Sequence, residues 1–428
     1  MTIFIPLLLL ALFLIFGMPV AFAIGISGSV GLILAGGWDS FTGILLTAPY
    51  ASVKSFLLSA IPMFILMASF MTVSGIMKDL INAAYKWLGR LPGGLGIATV
   101  FAGAVLGAVS GSSQASAATM ASSVGPEMKK YNHKTPFILG VVSISGTLAC
   151  MIPPSIVLIL YGILTETSVG ALLISGIIPG ILTALGYIIV IFIWVKVKPE
   201  VAPKIDIKPT IKERISSLKT VWPMLVIIIA VLGGIYSGFI TATEAGAVGA
   251  LITFLVILFM GRFTFAKINS ALNDAIKSST MILTIIIGAH IFGYFLTITQ
   301  ITQQLVMLVE GMEVSRYVIL LLIVFIYLIL GLFMDQLAIL ILTLPLTFPI
   351  IISLGFNPIW FGIIVTKTAE IGLVTPPLGM NVFVASGASG LKASEGFKGV
   401  VWFVLMDLLV LAILILFPIL STWLPGKM

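Results

Sequence analysis

The sequence predicts an all-α polytopic membrane protein built as an inverted repeat, with two re-entrant helical hairpins and two broken helices. Three observations carry this prediction. Sixty per cent of the 428 residues are hydrophobic and only 9% are charged, far below the roughly one quarter expected of a soluble domain. Apolar runs recur along the whole chain, enough for on the order of ten spanning helices at about 20 residues each. Landmarks of the first half reappear in the second in the same order, with Pro376 and Pro377 following Pro153 and Pro154 at an offset of 223.

The apolar segments run from Ile3 to Leu34, Phe56 to Val73, Leu95 to Val124, Phe137 to Leu164, Ala171 to Val195, Val221 to Ile240, Ala245 to Met260, Met281 to Ile298, Tyr317 to Ile352, Ile359 to Ala388 and Val400 to Leu424. The first lacks an early basic cluster and a small-residue cleavage pattern, so it reads as membrane helix rather than removable signal peptide. Gly17 and Pro19 interrupt it, and two short helices are expected there rather than one tilted one. The single cysteine, Cys150, excludes an internal disulfide framework and a multi-cysteine metal cluster. The net charge of +7 marks topology and lipid headgroup contacts rather than nucleic acid, because the lysines and arginines stand between apolar runs.

The longest polar connection, 196–220, carries Lys196, Lys198, Lys204, Lys208, Lys212, Arg214 and Lys219 against Glu200, Asp206 and Glu213, and is expected in the cytoplasm. Each complete crossing changes side, which tests the assignment. Arg262, Lys267 and Lys277 then fall inside, Glu310, Glu313 and Arg316 outside, and Lys392 and Lys398 inside. Arg90, Lys129, Lys130 and Lys134 also fall inside if Leu95 to Val124 enters and leaves on the cytoplasmic side. The same parity makes Tyr317 to Ile352 a hairpin on the outer side. The expected organisation is scaffold helices over 1–55, then a first repeat over 56–195 with hairpin one at about 93–128 and a broken helix at 136–164. After the loop at 196–220 come scaffold helices over 221–278, a second repeat over 279–390 with hairpin two at about 317–352 and a broken helix at 358–389, and a C-terminal helix over 391–428.

Further landmarks support the repeat. Ile76 to Leu80 in SGIMKDL matches Ile301 to Leu305 in TQITQQL, Gly89 matches Gly311, and Gly107 matches Gly331. Inverted repeats with discontinuous helices place substrate and ions near the bilayer midplane.

The chemistry-bearing segments lie at the breaks. AVSGSSQASAATMASS, Ala108 to Ser123, supplies hydroxyls and, through glycine, backbone able to turn carbonyls inwards, which suits a dehydrated hard cation. In isolation the same segment would read as a small-residue packing seam; its place in the repeat favours the ion site. In SGTLACMIPPS, Ser145 to Ser155, and GLVTPPLGMN, Gly372 to Asn381, paired prolines remove backbone donors and leave carbonyls free. Asp335, in GLFMDQLA, is a carboxylate at membrane depth and so a functional candidate. Lys367 and Glu370, one turn apart, satisfy each other as a local pair or serve function. His290 is expected to bond a neighbouring helix, and Asp407, Glu244 and Lys54 to be interfacial. The sequence contains no GxxxxGK[ST], HExxH or GxSxG motif, so ATP-driven pumping and soluble-type hydrolysis find no support and an ion gradient is the expected energy source.

Together the hairpins, VSGSSQASAATM, MIPPS and GLVTPPLGMN resemble the large membrane subunit of tripartite ATP-independent periplasmic (TRAP) transporters, of the dicarboxylate and sialic acid type, over essentially the whole chain. The resemblance implies an elevator mechanism, location in the bacterial inner membrane, and sodium-coupled import of an organic acid delivered by a soluble periplasmic binding protein. It also implies a separate small membrane subunit of about four helices, since no such extension precedes these residues. Two or more sodium ions are expected. The first site would use Ser110, Ser112 and Ser113 with carbonyls around Gly146, Met151 and Pro153. The second would use Gly331, Asp335, Gly372, Thr375 and Met380. Substrate would lie near Ser113, Pro154, Pro377 and Asn381. The alternatives are a sodium/dicarboxylate carrier without a binding protein, a channel, and an intramembrane enzyme using Asp335, His290 and Glu370; no catalytic residue is expected on the preferred reading.

Overall fold

The computed structural model describes residues 2–204 and 209–427. Asp206 and Lys208 of the long polar connection lie outside the described residues. Among the described residues all regular structure is helical, and eight helices are long and apolar enough to cross a bilayer.

α1 (Phe4–Ile15) and α2 (Val20–Val53) are separated at Gly17, whose φ of 76° is left-handed, and at Pro19, so two helices form where the interruption predicts them. α2 runs on past Leu34 to Val53, bending at Gly37 (φ 78°, ψ 177°). Asp39 and Ser40 stop the apolar count there, but exposed polar side chains do not end a helix. α3 (Ala60–Ser74) and α4 (Ile76–Leu88) meet at left-handed Gly75. Next come α5 (Gly94–Ser110), α6 (Ser113–Lys130), α7 (Thr135–Met151), α8 (Ile156–Leu164), α9 (Val169–Ser175) and α10 (Ile177–Val197).

The polar connection contains α11 (Ile211–Leu218), started by a capping box between Thr210 and Glu213. α12 (Trp222–Ile228) passes through a wide turn at Ile229–Gly233 into α13 (Gly234–Tyr236). α14 (Ala242–Phe259) starts on a second capping box, Thr241 with Glu244. α15 (Phe265–Ile298) is 34 residues long and begins well before Met281, so Lys267 and Lys277 are helical and the expected boundary at 278/279 falls inside one continuous helix. α16 (Ile301–Glu310), α17 (Arg316–Gly331), α18 (Gln336–Ser353), α19 (Pro358–Val374), α20 (Met380–Ser389), α21 (Ala393–Leu416) and α22 (Ile419–Thr422) complete the chain.

The helices form two groups. In the first, α2 lies along α15 so closely that a Cβ on Gly28 would stand 2.7 Å from the Phe292 Cα, and α3 and α14 pack beside them. The second group is centred on α7 and α19. Every residue from Phe137 to Met151 and from Trp360 to Val374 is buried. α5 and α6 flank α7, α17 and α18 flank α19, and α21 touches both central helices. This burial follows from composition: Ser143, Ser145, Thr147, Thr366, Lys367, Thr368 and Glu370 lie on these two helices, and polar groups facing hydrocarbon are expensive. The groups meet where α3 touches α5 and α8 and where α15 touches α18.

Candidate functional site

Four helix breaks surround the buried centre. Gly111 (φ 59°) ends α5, and Ser112 caps α6 by accepting from the Ala115 amide at 3.4 Å. Ser155 caps α8 in the same way, its hydroxyl accepting from the Leu158 amide at 3.3 Å. Between α7 and α8, Pro153 and Pro154 lack the amides that the Ala149 and Cys150 carbonyls would receive in a continuous helix. Asp335 caps α18, one carboxylate oxygen accepting from the Leu337 and Ala338 amides at 3.0 and 3.1 Å. Between α19 and α20, Pro376 and Pro377 deprive the Gly372 and Leu373 carbonyls in the same manner. Thr375 folds back here, its hydroxyl donating to Ile371 O at 2.6 Å and its amide to Gly372 O at 3.2 Å. Both Pro–Pro peptides are cis.

The hairpin tips meet the breaks. A Cβ on Gly111 would stand 3.0 Å from the Pro154 carbonyl oxygen, and one on Gly146 would stand 2.6 Å from that of Ser113. Glycine at these positions lets the tip of α5–α6 lie directly on α7 and its break. The second hairpin is seated similarly: Gly331 packs on Gly372, a Cβ on the former reaching within 2.9 Å of the latter's Cα. Contacts also cross between halves. Ser113 Oγ donates to Asn381 Oδ1 at 3.4 Å, Gln114 Nε2 to Met380 Sδ at 3.7 Å, and Cys150 Sγ to Gln336 Oε1 at 2.8 Å. Asn381 further donates to Ser143 O at 3.5 Å.

Ser113, Asn381, Gly146 and Pro154 are therefore gathered around the tip of α5–α6, and Gly331 with Gly372 at the second hairpin. Ser110 Oγ is bonded to Ser116 Oγ at 2.6 Å. The Met151 carbonyl lies against Gly176, towards α9 and α10. Pro153 and Pro154 are buried whereas Pro376 and Pro377 are exposed. The donor set of hydroxyls and freed carbonyls suits a hard monovalent cation; among the described residues no cluster of three His, Cys, Asp or Glu that could hold a metal ion occurs, which directs attention to the neutral oxygens.

One constellation escaped the sequence. Asp407 lies in the middle of α21, fully buried, not at a helix end at the interface as expected. Its Oδ1 takes Lys367 Nζ at 2.6 Å, while Glu370 Oε2 lies 3.2 Å from the same ammonium, and all three side chains are inaccessible. Lys367 and Glu370 thus form the local pair that their spacing suggests, but the shorter bond goes to Asp407. Tyr187 OH donates to Asp407 Oδ2 at 2.8 Å and lies 3.1 Å from Thr147 Oγ1. A signal was present: a carboxylate in mid-run, in WFVLMDLLVL, needs a buried partner. Nothing local named Lys367 as that partner, and nothing marked Tyr187.

His290 is not bonded to a neighbouring helix; its Nδ1 lies 3.1 Å from its own helix's Ile286 O. It is exposed to a cavity of about 310 Å³ lined also by Leu164, Tyr294, Thr297, Thr302, Ile341 and Pro345, on the seam between the two helix groups. Lys54 is exposed beyond α2, and Glu244 completes its capping box. Between α6 and α7, burial of His133 holds its imidazole below the usual histidine range, and its Nδ1 has no partner among the described residues.

A sequence profile of the family described as "Tripartite ATP-independent periplasmic transporter, DctM component" matches residues 7–420. The chain is 36% identical over 406 residues to the C4-dicarboxylate TRAP transporter large permease protein DctM of Pseudomonas aeruginosa, covering 94% of each. It is 29% identical over 412 residues to the sialic acid TRAP transporter large permease protein SiaM of Vibrio cholerae, covering 96% of this chain and 95% of that protein. It is 32% identical to the isethionate TRAP transporter permease protein DctMQ of Oleidesulfovibrio alaskensis, covering 97% of this chain and 65% of that longer one. Among solved structures, the Alcanivorax borkumensis YdaH transporter superposes with a TM-score of 0.66 over 99% of both chains at 14% identity, a likeness of fold.

Proposed function

Because the chain belongs to the DctM-component family of tripartite ATP-independent periplasmic transporters, we propose that it imports an organic acid across the bacterial inner membrane by sodium symport. The multi-pass chain is a transporter permease, which sets aside the intramembrane enzyme. The substrate class follows the relatives: a C4-dicarboxylate or sialic acid, delivered by a soluble periplasmic binding protein, with a separate small membrane subunit completing the permease.

The observation that carries this reading is the contact of Ser113 with Asn381, which brings the tip of the first hairpin onto the second break. Substrate would sit there, with Pro154 and Pro377 at its edges. Freed carbonyls beside hydroxyls at each break suit sodium: Ser110, Ser112, Ser113, Gly146 and Pro153 at the first site, where the Met151 carbonyl turns away towards Gly176, and Gly331, Asp335, Gly372, Thr375 and Met380 at the second. Two sodium ions entering with a sialic acid monoanion would carry one net charge, worth about 2.3 kcal/mol per 100 mV, whereas with a dicarboxylate dianion they would be electroneutral and draw on the sodium gradient alone.

An inverted repeat with elevator motion is the mechanism proposed. Gly107 against Ala149 and Gly331 against Gly372 are matching close approaches, since Gly372 follows Ala149 by the same offset as the proline pairs. The group centred on α7 and α19 would move as the cargo-bearing unit against α2, α3, α14 and α15, and the cavity at His290 lies along that seam.

Uptake into proteoliposomes containing this chain and its small partner tests the proposal. Transport requiring both a sodium gradient and a substrate-loaded binding protein is expected. Uptake with sodium alone would instead favour the carrier working without a binding protein.

A further inference from the structure

A run of side-chain bonds links the two helices that carry the paired-proline breaks. Thr147 on α7, whose hydroxyl hydrogen is shared between the Ile144 carbonyl at 2.8 Å and Tyr187 OH on α10 at 3.1 Å, leads to Tyr187, which donates to Asp407 on α21 at 2.8 Å, which pairs with Lys367 on α19 at 2.6 Å. All four side chains are inaccessible to solvent. One end of the run adjoins Gly146 and the other lies little more than a turn before Gly372, so each end sits beside one of the two proposed sodium sites.

We propose that Tyr187 is a positioning residue that couples the two sodium sites, an inference that rests on the sodium reading above. A cation at the first site draws the carbonyls of α7 into one arrangement. The Thr147–Tyr187–Asp407–Lys367 run transmits that constraint to α19, where the second site's carbonyls are set, and coupling of this kind is reciprocal. Removing the hydroxyl of Tyr187 breaks the run without unpairing a charge. Its ring stays packed edge-on to Phe403, with centroids 5.7 Å apart, and Lys367 keeps Asp407.

The test is sodium titration of the purified chain with its small partner, followed by thermal shift. Wild type is expected to bind sodium steeply. Tyr187→Phe should raise the half-saturating sodium concentration about fivefold or more and flatten the curve towards independent sites. Thr147→Val, which breaks the same link from its other end, should do likewise, with no further change in the double variant; it decides the matter if Tyr187→Phe does not fold. Tyr327→Phe is the control, because that hydroxyl bonds Thr343 and Thr347 within the second hairpin; it should lower Tm without altering the sodium curve. Wild-type steepness and half-saturation in both Tyr187→Phe and Thr147→Val would overturn the proposal, whatever they lose in Tm. Absence of any sodium shift in wild type would overturn the sodium reading itself and this inference with it, a result distinguishable from the first.

Discussion

Cys150 Sγ donates to Gln336 Oε1 across 2.8 Å, joining the last turn of α7 to the first residue of α18. With Ser113 against Asn381, it means that each hairpin's return arm begins against a broken helix of the other half. The candidate site is assembled from both halves of the chain.

Asn381 holds both Ser113 and the Ser143 carbonyl. Asn381→Ala strands these buried groups, about 1–3 kcal/mol or roughly 5- to 150-fold, and is expected to lower uptake by tenfold or more at fixed substrate. Ser113→Ala gives up a stretched bond and should lose less than about fivefold. Proteoliposome uptake at matched protein content measures both.

Gly372 has no room for a side chain, since a Cβ there would collide with the Gly331 Cα. Gly372→Ala should destabilise the chain by about 1–3 kcal/mol through overpacking, seen as a lower Tm in detergent. Gly387→Ala, with nothing within 4 Å of the added Cβ, should leave Tm unchanged or slightly raised.

Lys367 is shared between two carboxylates. Lys367→Met leaves both facing each other without a cation, a loss of about 3–5 kcal/mol expected when a buried pair is broken from one side. Asp407→Asn leaves Lys367 with Glu370 and should be milder, about 1–3 kcal/mol. Urea or thermal unfolding of the two variants in one detergent ranks them; equal losses would contradict a shared ammonium.

His133 sits in the turn before α7, where the Lys134 amide donates to Val201 O at 3.0 Å. Its folded pKa is depressed by burial, so the unfolded turn binds the proton more readily. Stability of the turn is full above the unfolded value of about 6.5 and declines as pH falls below it towards the folded value. Hydrogen-exchange protection of residues 133–135 should therefore drop on mild acidification in wild type and not in His133→Gln.

The breaks were legible because their signals are local. Gly111 with the serines after it, and the two proline pairs, act through backbone groups within one turn of themselves, so spacing alone located α5–α6, α7–α8 and α19–α20. The early half of α15 was not legible: Lys267, Asn269, Asp274 and Lys277 look like loop to a hydropathy count, although a helix that leaves the bilayer keeps its hydrogen bonds. Asp407 was misplaced for a different reason. Its partner stands 40 residues away on another helix, and only packing of α19 on α21 brings the two together. The ring of Tyr187, apolar but for one hydroxyl, looked like any other filler.

α15, at 34 residues, is about 51 Å long, whereas α17, at 16 residues, is about 24 Å. The hydrocarbon core of a bilayer is about 30 Å thick. α17 presents Val318, Leu321, Leu322, Phe325 and Ile329 outwards; as one arm of the proposed hairpin it need not reach the far face, whereas the polar first turns of α15 extend beyond the hydrocarbon. The α17 flank is therefore where a short apolar arm meets lipid, and where a change of acyl-chain length is expected to be felt first.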